Sequence, residues 1–428
     1  MAKTRIASGI QVSRNSAGAA LGVTNGSGII NTAQTTKCHI GTRIVCGTPQ
    51  GVWAPGANAD YTWSTMMALP DSFVAIRLVM MNDSTSTIAG VKACASVGGD
   101  ATKMVNQGGT FTNFTFSGAA TVTLAAGTST SPAITLSDWL PLASTARTDG
   151  GSLPLVYVRA LTPSTNANSI PLIGLGLAWS GWETKSDGLV FATRFQNADG
   201  VGTPANMTEA GATDPSGSPV VGVQYLTTAG SVSIAFFGDS ITSGYTATIP
   251  GDSWCHKAIA GLGARYSCAN LGASGQTTTQ CLTRAQVYIP TMRPYMAFFP
   301  AFSPNDGTPT AAITNTAAAN ALQFIDLCRQ YGTIPVIING LPKTTDNTNA
   351  TSSYTNGQDD FRKTLNSSLS GYGVTVVDFA TPLSNSTALG TASKWSAASA
   401  TVDGTHPSDT GFTSMATIAA STIQGFAI

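Results

Sequence analysis

The sequence predicts a two-part chain: an all-β domain followed by an α/β domain built on a parallel sheet. Three observations carry this. Before about residue 225, short β-type apolar runs alternate with Gly/Ser/Thr/Asn/Pro punctuation, and no long helical period interrupts them. From Ser231 onward, strand-length apolar runs alternate with helix-length amphipathic stretches, the pattern of a parallel sheet with helices on both faces. A chain of 428 residues also exceeds what a single core usually fills.

In the first part the runs are "SFVAIRLVMM" (72–81), "ATVTLAAG" (120–127), "LPLVYVRAL" (153–161) and "PLIGLGLAW" (171–179). Short strands at this spacing predict a β-sandwich, jelly-roll-like, over 36–225. Residues 1–35 are the least patterned and read as a flexible or docking segment. The turn-rich "NADGVGTPANMTEAGATDPSGSP" (197–219) reads as a linker.

The second part, 228–428, runs strand "SVSIAFFGD", helix "SWCHKAIAGLGARY", strand "SCANLGAS" and helix "TTTQCLTRAQVYI". Next come strand "YMAFFPAF", helix "AAITNTAAANALQFIDLCRQYG" and strand "IPVIINGLP". A helix near 357–370, the strand "VTVVDFA" and a helix over 408–424 complete it. Five strands in this alternation predict a flavodoxin-like doubly wound domain with a five-stranded parallel sheet, whose sites lie at the carboxyl ends of the strands.

Composition narrows the function. Charged residues make up only 10% of the chain, against roughly 25% in typical soluble domains, and 21 Lys+Arg balance 21 Asp+Glu. No basic run is available to neutralise a phosphate backbone, which argues against a nucleic-acid partner. No apolar run approaches the ~20 residues needed to cross a bilayer, and no secretory h-region opens the sequence. A net charge of zero removes one protection against association and favours a homo-oligomer. Seven cysteines without C-x-x-C spacing read as buried free thiols, with no disulfide framework or zinc site expected.

The chemistry is sought at the strand ends. "FFGDSITSG" (236–244) stops an apolar strand at Gly238 and places Asp239 and Ser240 at a helix start, where N–H groups and the helix dipole favour developing negative charge. Ser240 there suits a nucleophile, although Asp239 or Ser240 also suits an N-cap. Such a serine needs a base near neutral pH, and the chain has three histidines. His39 lies in the β-rich part and His256 inside a helix, whereas His406 stands in "VDGTHPSDTG" (402–411), after the last strand. Asp403, three residues earlier, is placed to orient its imidazole. "NLGASGQTT" (270–278) and "FSPND" (302–306) end two further strands at the same edge, with Gly275 and Asn305 as candidate oxyanion donors. Each also has an ordinary reading, Gly275 as a turn glycine and Asn305 as a turn or cap residue.

These four signals, in this order, make residues 231–428 resemble the SGNH (GDSL) hydrolase family of esterases and lipases. The resemblance rests on Gly238-Asp239-Ser240 with Gly244, on "NLGASG", on Asn305 in "SPND" and on "DGTHP". It implies a Ser240/His406/Asp403 triad and an oxyanion hole formed by Ser240 and Gly275 N–H groups and the Asn305 side chain. Neither metal nor cofactor is implied. Asp239 is expected to shape the turn and, with Ser303 and Tyr354, is a candidate substrate contact. The family usually has Gly where this chain has Ser303, so Ser303 is expected to narrow the acyl side of the pocket.

The family spans lipases, thioesterases and carbohydrate O-acetylesterases. The preceding β domain, the absence of long apolar lid loops and the polar loop "KTTDNTNATSSYTNG" (343–357) with Tyr354 favour an acetylated glycan. Trp53, Trp63, Trp139, Trp179 and Trp182 are candidates to stack on sugars, although such residues are more often sandwich core. Low charge and a Gly/Ser/Thr-rich β part resemble phage tail or tailspike enzymes, which act outside the cell without a signal peptide and, as tail components, form trimers. The alternatives are a lipase or thioesterase of the same family, and a degenerate glycan-binding virion protein.

Overall fold

The computed structural model describes residues 40–44, 60–163 (except 104 and 107), 195–211 and 219–426 (except 229, 250, 251 and 264). The 1–35 segment and Trp53, Trp179 and Trp182 lie outside the described residues, as does the side chain of His39. The chain divides into two compact units. One comprises Met1–Val45, Pro49–Ser233 and Ala264–Ser267, the other Cys46–Thr48, Ile234–Gly263 and Cys268–Ile428.

The first unit is strand-rich and antiparallel. Strand Leu155–Thr162 lies between Tyr61–Ala68 and Ile88–Val97, with Val158 opposite both Thr65 and Ala95. Ala75–Asn82 pairs with Val220–Thr227 and with Ala133–Leu136. Tyr61–Ala68, Ala75–Asn82, Leu155–Thr162 and Val220–Thr227 are buried at every position; Ala75–Asn82 is close to a continuous apolar run, whereas Tyr61–Ala68 also buries Thr62, Ser64 and Thr65.

Residues 198–207, expected as linker, belong to this unit because they solvate a buried cation. The Arg159 guanidinium donates to the carbonyls of Gly200 (2.9 Å), Pro204 (2.7 Å) and Val105 (2.6 Å), and rests 4.0 Å from the Phe111 ring. A charge withdrawn from water needs such acceptors. Trp63 and Trp139 are buried: Trp63 donates to Thr162 Oγ1, and Trp139 lies under the Arg77 guanidinium. Both are core, the more frequent of the two roles open to them, and neither is placed to stack on a sugar.

In the second part the expected elements are present in order. The strands are β1 (Val232–Gly238), β2 (Tyr266–Gly272), β3 (Met296–Pro300), β4 (Ile334–Ile338) and β5 (Thr375–Val377). The helices are α1 (Ser240–Ser243), α2 (Trp254–Ala260), α3 (Thr278–Met292), α4 (Ala311–Tyr331), α5 (Asn356–Ser368), α6 (Ala380–Leu383) and α7 (Asp409–Gln424). The strands lie in the order β2-β1-β3-β4-β5, and β1 to β5 through β3 and β4 pair in parallel.

The expectation of a five-stranded parallel sheet is corrected: these strands belong to a mixed sheet, because β2 is not an edge and its outer N–H and C=O groups are paired in turn.

β1 is buried on both faces, which its sequence "IAFF" anticipates. Phe236 meets Trp254 of α2 (5.1 Å between ring centroids) and Phe298 (4.8 Å). Its neighbour Phe237 points the other way, to Tyr288 of α3 (6.3 Å) and Phe324 of α4 (5.9 Å). Successive strand side chains take opposite faces, so one dipeptide anchors both helix layers. Cys94, Cys255, Cys268, Cys281 and Cys328 are buried free thiols. Among the described residues no helix is long and apolar enough to cross a membrane.

Candidate active site

β1 ends at Gly238, and the two roles weighed for the next residues fall on different side chains. Asp239 is the N-cap of α1: its Oδ1 accepts the Ile241 N–H at 2.9 Å. Ser240 is the first helical residue, with its side chain left for other work. Gly244 closes this one-turn helix in the left-handed conformation at φ 87°.

Ser240 Oγ lies 2.8 Å from His406 Nε2, and His406 Nδ1 lies 2.7 Å from Asp403 Oδ2. The other Asp403 oxygen accepts the backbone N–H groups of His406 (2.8 Å) and Thr405 (2.9 Å). Burial pushes the Asp403 carboxyl up, but the His406 backbone and ring donors and the Thr405 N–H outweigh it, holding the group below the usual range. An ionised carboxylate only accepts, so Nδ1 carries the proton and Nε2 is left to accept from Ser240. Ser240 is 6% exposed, while the Asp403 side chain is 46% exposed.

The histidine loop is braced from below by residues that motif reading did not single out. The Gly404 carbonyl accepts from Trp395 Nε1 (2.8 Å) and from Thr344 N (2.9 Å). Thr401 Oγ1 donates to the His406 carbonyl (2.8 Å) and accepts the Gly404 N–H (2.9 Å). Gly404 itself has φ 87°, and a Cβ there would come within 2.4 Å of the Thr344 carbonyl oxygen. Both its backbone angle and the close approach demand glycine. The only local hint in the sequence was the Gly inside "DGTHP".

Gly275 stands in an exposed turn after β2 at φ 79°, and Asn305 is exposed in the turn after β3. Asn305 Nδ2 donates to the Gln276 carbonyl at 3.1 Å, which commits one of its two hydrogens.

Two of the three candidate substrate contacts, Ser303 and Tyr354, are placed differently from expectation, whereas Asp239 caps α1, the turn role expected of it, and lines the cavity near that turn. Ser303 does not line an acyl pocket: it is fully buried, with Oγ 2.5 Å from Asp239 Oδ2 and 3.1 Å from the Gln276 carbonyl. A hydroxyl at this turn finds polar partners inside the fold, so it turns inward. Asp239 is likewise buried, and burial pushes its carboxyl up, against the Ser303 and Ile241 donors and the nearby His406. Tyr354 is 7% exposed and its hydroxyl is pushed up to about 12 by burial, so its ring is not a surface platform. His256 is buried in α2.

An exposed aromatic lies elsewhere. Tyr245, 50% exposed, has its ring 4.9 Å from the His406 ring at 52°. Its loop is tied to the histidine side by Thr246 Oγ1 donating to the Pro407 carbonyl at 2.8 Å. Tyr245 directly follows Gly244 in the chain, the one sequence signal that pointed to it.

A cavity of about 30 Å³ is lined by Asp239 and Ile241, the residues on either side of Ser240 in the chain, and by Trp254, Phe302, Pro304 and Phe379 among others. A serine bonded to an imidazole, a carboxylate behind it and donors on two adjacent turns form an arrangement suited to acyl transfer.

A family model spans the segment that carries this edge. The model of the GDSL-like Lipase/Acylhydrolase family matches residues 236–413, so the chain carries a GDSL/SGNH-type acylhydrolase domain there. No curated protein matches the chain. Among solved structures it is similar to a GDSL-like lipase from Bacteroides thetaiotaomicron, with 19% identity over 45% of this chain and 88% of that one, at a TM-score of 0.34. It is also similar to the lipase/acylhydrolase from Enterococcus faecalis, with 19% identity over 45% of this chain and 96% of that one, at a TM-score of 0.34.

Proposed function

We propose, from a GDSL-type acylhydrolase domain at 236–413 as premise, that the chain is a serine esterase that removes O-acetyl groups from a polysaccharide. The hydrogen-bonded series Ser240–His406–Asp403 is the observation that carries this reading.

In this mechanism His406 Nε2 takes the proton of Ser240 Oγ as the oxygen attacks the acetyl carbonyl carbon. Asp403 holds the Nδ1 proton and stabilises the imidazolium without itself being protonated. The oxyanion is met by the N–H groups of Ser240 and Gly275 and by the free Nδ2 hydrogen of Asn305. His406 then gives its proton to the departing sugar oxygen as the ester bond breaks. Water, activated by the same imidazole, hydrolyses the acetyl-enzyme and releases acetate.

The carbohydrate part is supported by three features. A strand-rich, sparsely charged region precedes the domain, as in many glycan-binding or assembly scaffolds. The loops around the site are polar. The exposed Tyr245 ring beside His406 suits stacking on the apolar face of a sugar. Low charge supports action at a cell or virion surface as a homo-oligomer, a trimer in a phage tail.

A panel of O-acetylated polysaccharides, scored for released acetate, tests the proposal. Acetate release by the wild type and none by Ser240→Ala is expected. No release from any glycan, with turnover of long-chain acyl esters, would replace it with a lipase reading.

A further inference from the structure

The Ser303 hydroxyl sits where three turns of the site meet, and none of it is exposed. Its Oγ is 2.5 Å from Asp239 Oδ2, 3.1 Å from the Gln276 carbonyl oxygen, and accepts the Asn305 N–H at 3.2 Å. Asp239 caps the helix that begins with Ser240, Gln276 follows Gly275, and Asn305 carries the side-chain donor. One hydroxyl therefore touches the carriers of all three candidate oxyanion donors.

The turn that holds it is fastened a second time. Ser303 N–H donates to Asp306 Oδ2 at 2.8 Å, and Asp306 Oδ1 accepts the Thr278 N–H at 2.8 Å, at the start of α3. The Gln276 carbonyl, which Ser303 Oγ contacts, also accepts Asn305 Nδ2. Moving that carbonyl would swing the Asn305 amide with it.

We infer that Ser303 is a positioning residue for the esterase reaction: its hydroxyl holds the Asp239, Gln276 and Asn305 turns in the register that aims the oxyanion donors at one point. This rests on the reading of Ser240 as the acylated nucleophile. Oxyanion donors work by being in place before charge develops, so a shift of a few tenths of an ångström weakens the transition state more than the bound substrate. A side chain that only filled space would not make that distinction.

The test compares Ser303→Ala with wild type on p-nitrophenyl acetate, together with the affinity of methylboronic acid, whose adduct on a serine is tetrahedral. Ser303→Ala is expected to lower kcat by about ten-fold or more with KM changed less than about two-fold. Boronate binding should weaken by a similar factor. Should Ser303→Ala not fold, Ser303→Gly, which removes the same hydroxyl with fewer atoms, is read by the same criteria. Unchanged kcat, or a loss confined to KM with boronate affinity intact, overturns the inference. Ser240→Ala, run in parallel, separates the two readings. If it is inactive while Ser303→Ala is fully active, only the role of Ser303 falls; if it stays active, the esterase reading falls and takes this inference with it.

Discussion

Asp403 grips His406 twice: one carboxylate oxygen meets the ring Nδ1 at 2.7 Å, and the other accepts the same residue's backbone N–H at 2.8 Å. The three-residue separation makes this possible, because the loop folds back on its own aspartate. Ring orientation and loop conformation are thus set by a single side chain, despite its 46% exposure.

Asp403→Asn should therefore be more harmful than its size suggests. An asparagine can offer Nδ1 a donor where an acceptor is needed, which favours the wrong imidazole tautomer. Activity on p-nitrophenyl acetate should fall roughly 10²-fold or more, by analogy with serine hydrolase triads. The circular dichroism spectrum should be unchanged. Activity within about three-fold of wild type would remove Asp403 from the mechanism.

Ser240→Ala should lose on the order of 10³-fold or more in kcat/KM, since it removes the attacking atom. In the wild type, a fluorophosphonate probe should attach to Ser240 and to no other serine, as read by peptide mass spectrometry. Labelling elsewhere with activity retained in the variant would show that another nucleophile is at work.

The buried Asp239 carboxyl makes stability depend on pH with a defined sign. Its pKa is raised by burial, so the folded chain keeps a proton that the unfolded chain has released. The contribution is fully present below the unfolded carboxyl value, about 3.9, and is lost as pH rises through the folded value. Asp239→Asn has no proton to lose. Urea unfolding at a series of pH values should show wild-type stability falling relative to this variant as pH rises from 4. Parallel curves would contradict this.

Acyl size should be limited by the small cavity lined by Asp239 and Ile241, on either side of Ser240 in the chain, rather than by Ser303, whose hydroxyl faces the interior. At about 30 Å³ it admits roughly two water-sized groups. Forcing further methylenes into it costs roughly 1–3 kcal/mol, or about 5- to 150-fold in rate. kcat/KM should decline from p-nitrophenyl acetate to butyrate and nearly vanish for octanoate. An optimum at six carbons or longer would favour a lipase and place the acyl chain elsewhere.

What the sequence determined by itself was whatever depends on local order and on chain direction. The 231–428 alternation of apolar runs and amphipathic stretches identified five strands and their helices. It placed Ser240, Gly275, Asn305 and His406 at strand ends, because parallel strands all present their carboxyl ends to one edge. Three histidines made the search for a base short. Tertiary structure decided what depends on neighbours distant in the chain. The five parallel strands belong to a mixed sheet, and no local pattern reports what pairs with an edge. Arg159 recruited residues 198–207 from an expected linker, because a buried cation takes its carbonyls wherever the fold brings them. Ser303 occupied a glycine position in a recognisable motif, and only the meeting of three turns showed that its hydroxyl points inward to Asp239. Sequence names the groups that can react; which way each one faces is set by the polar partners that packing leaves within reach.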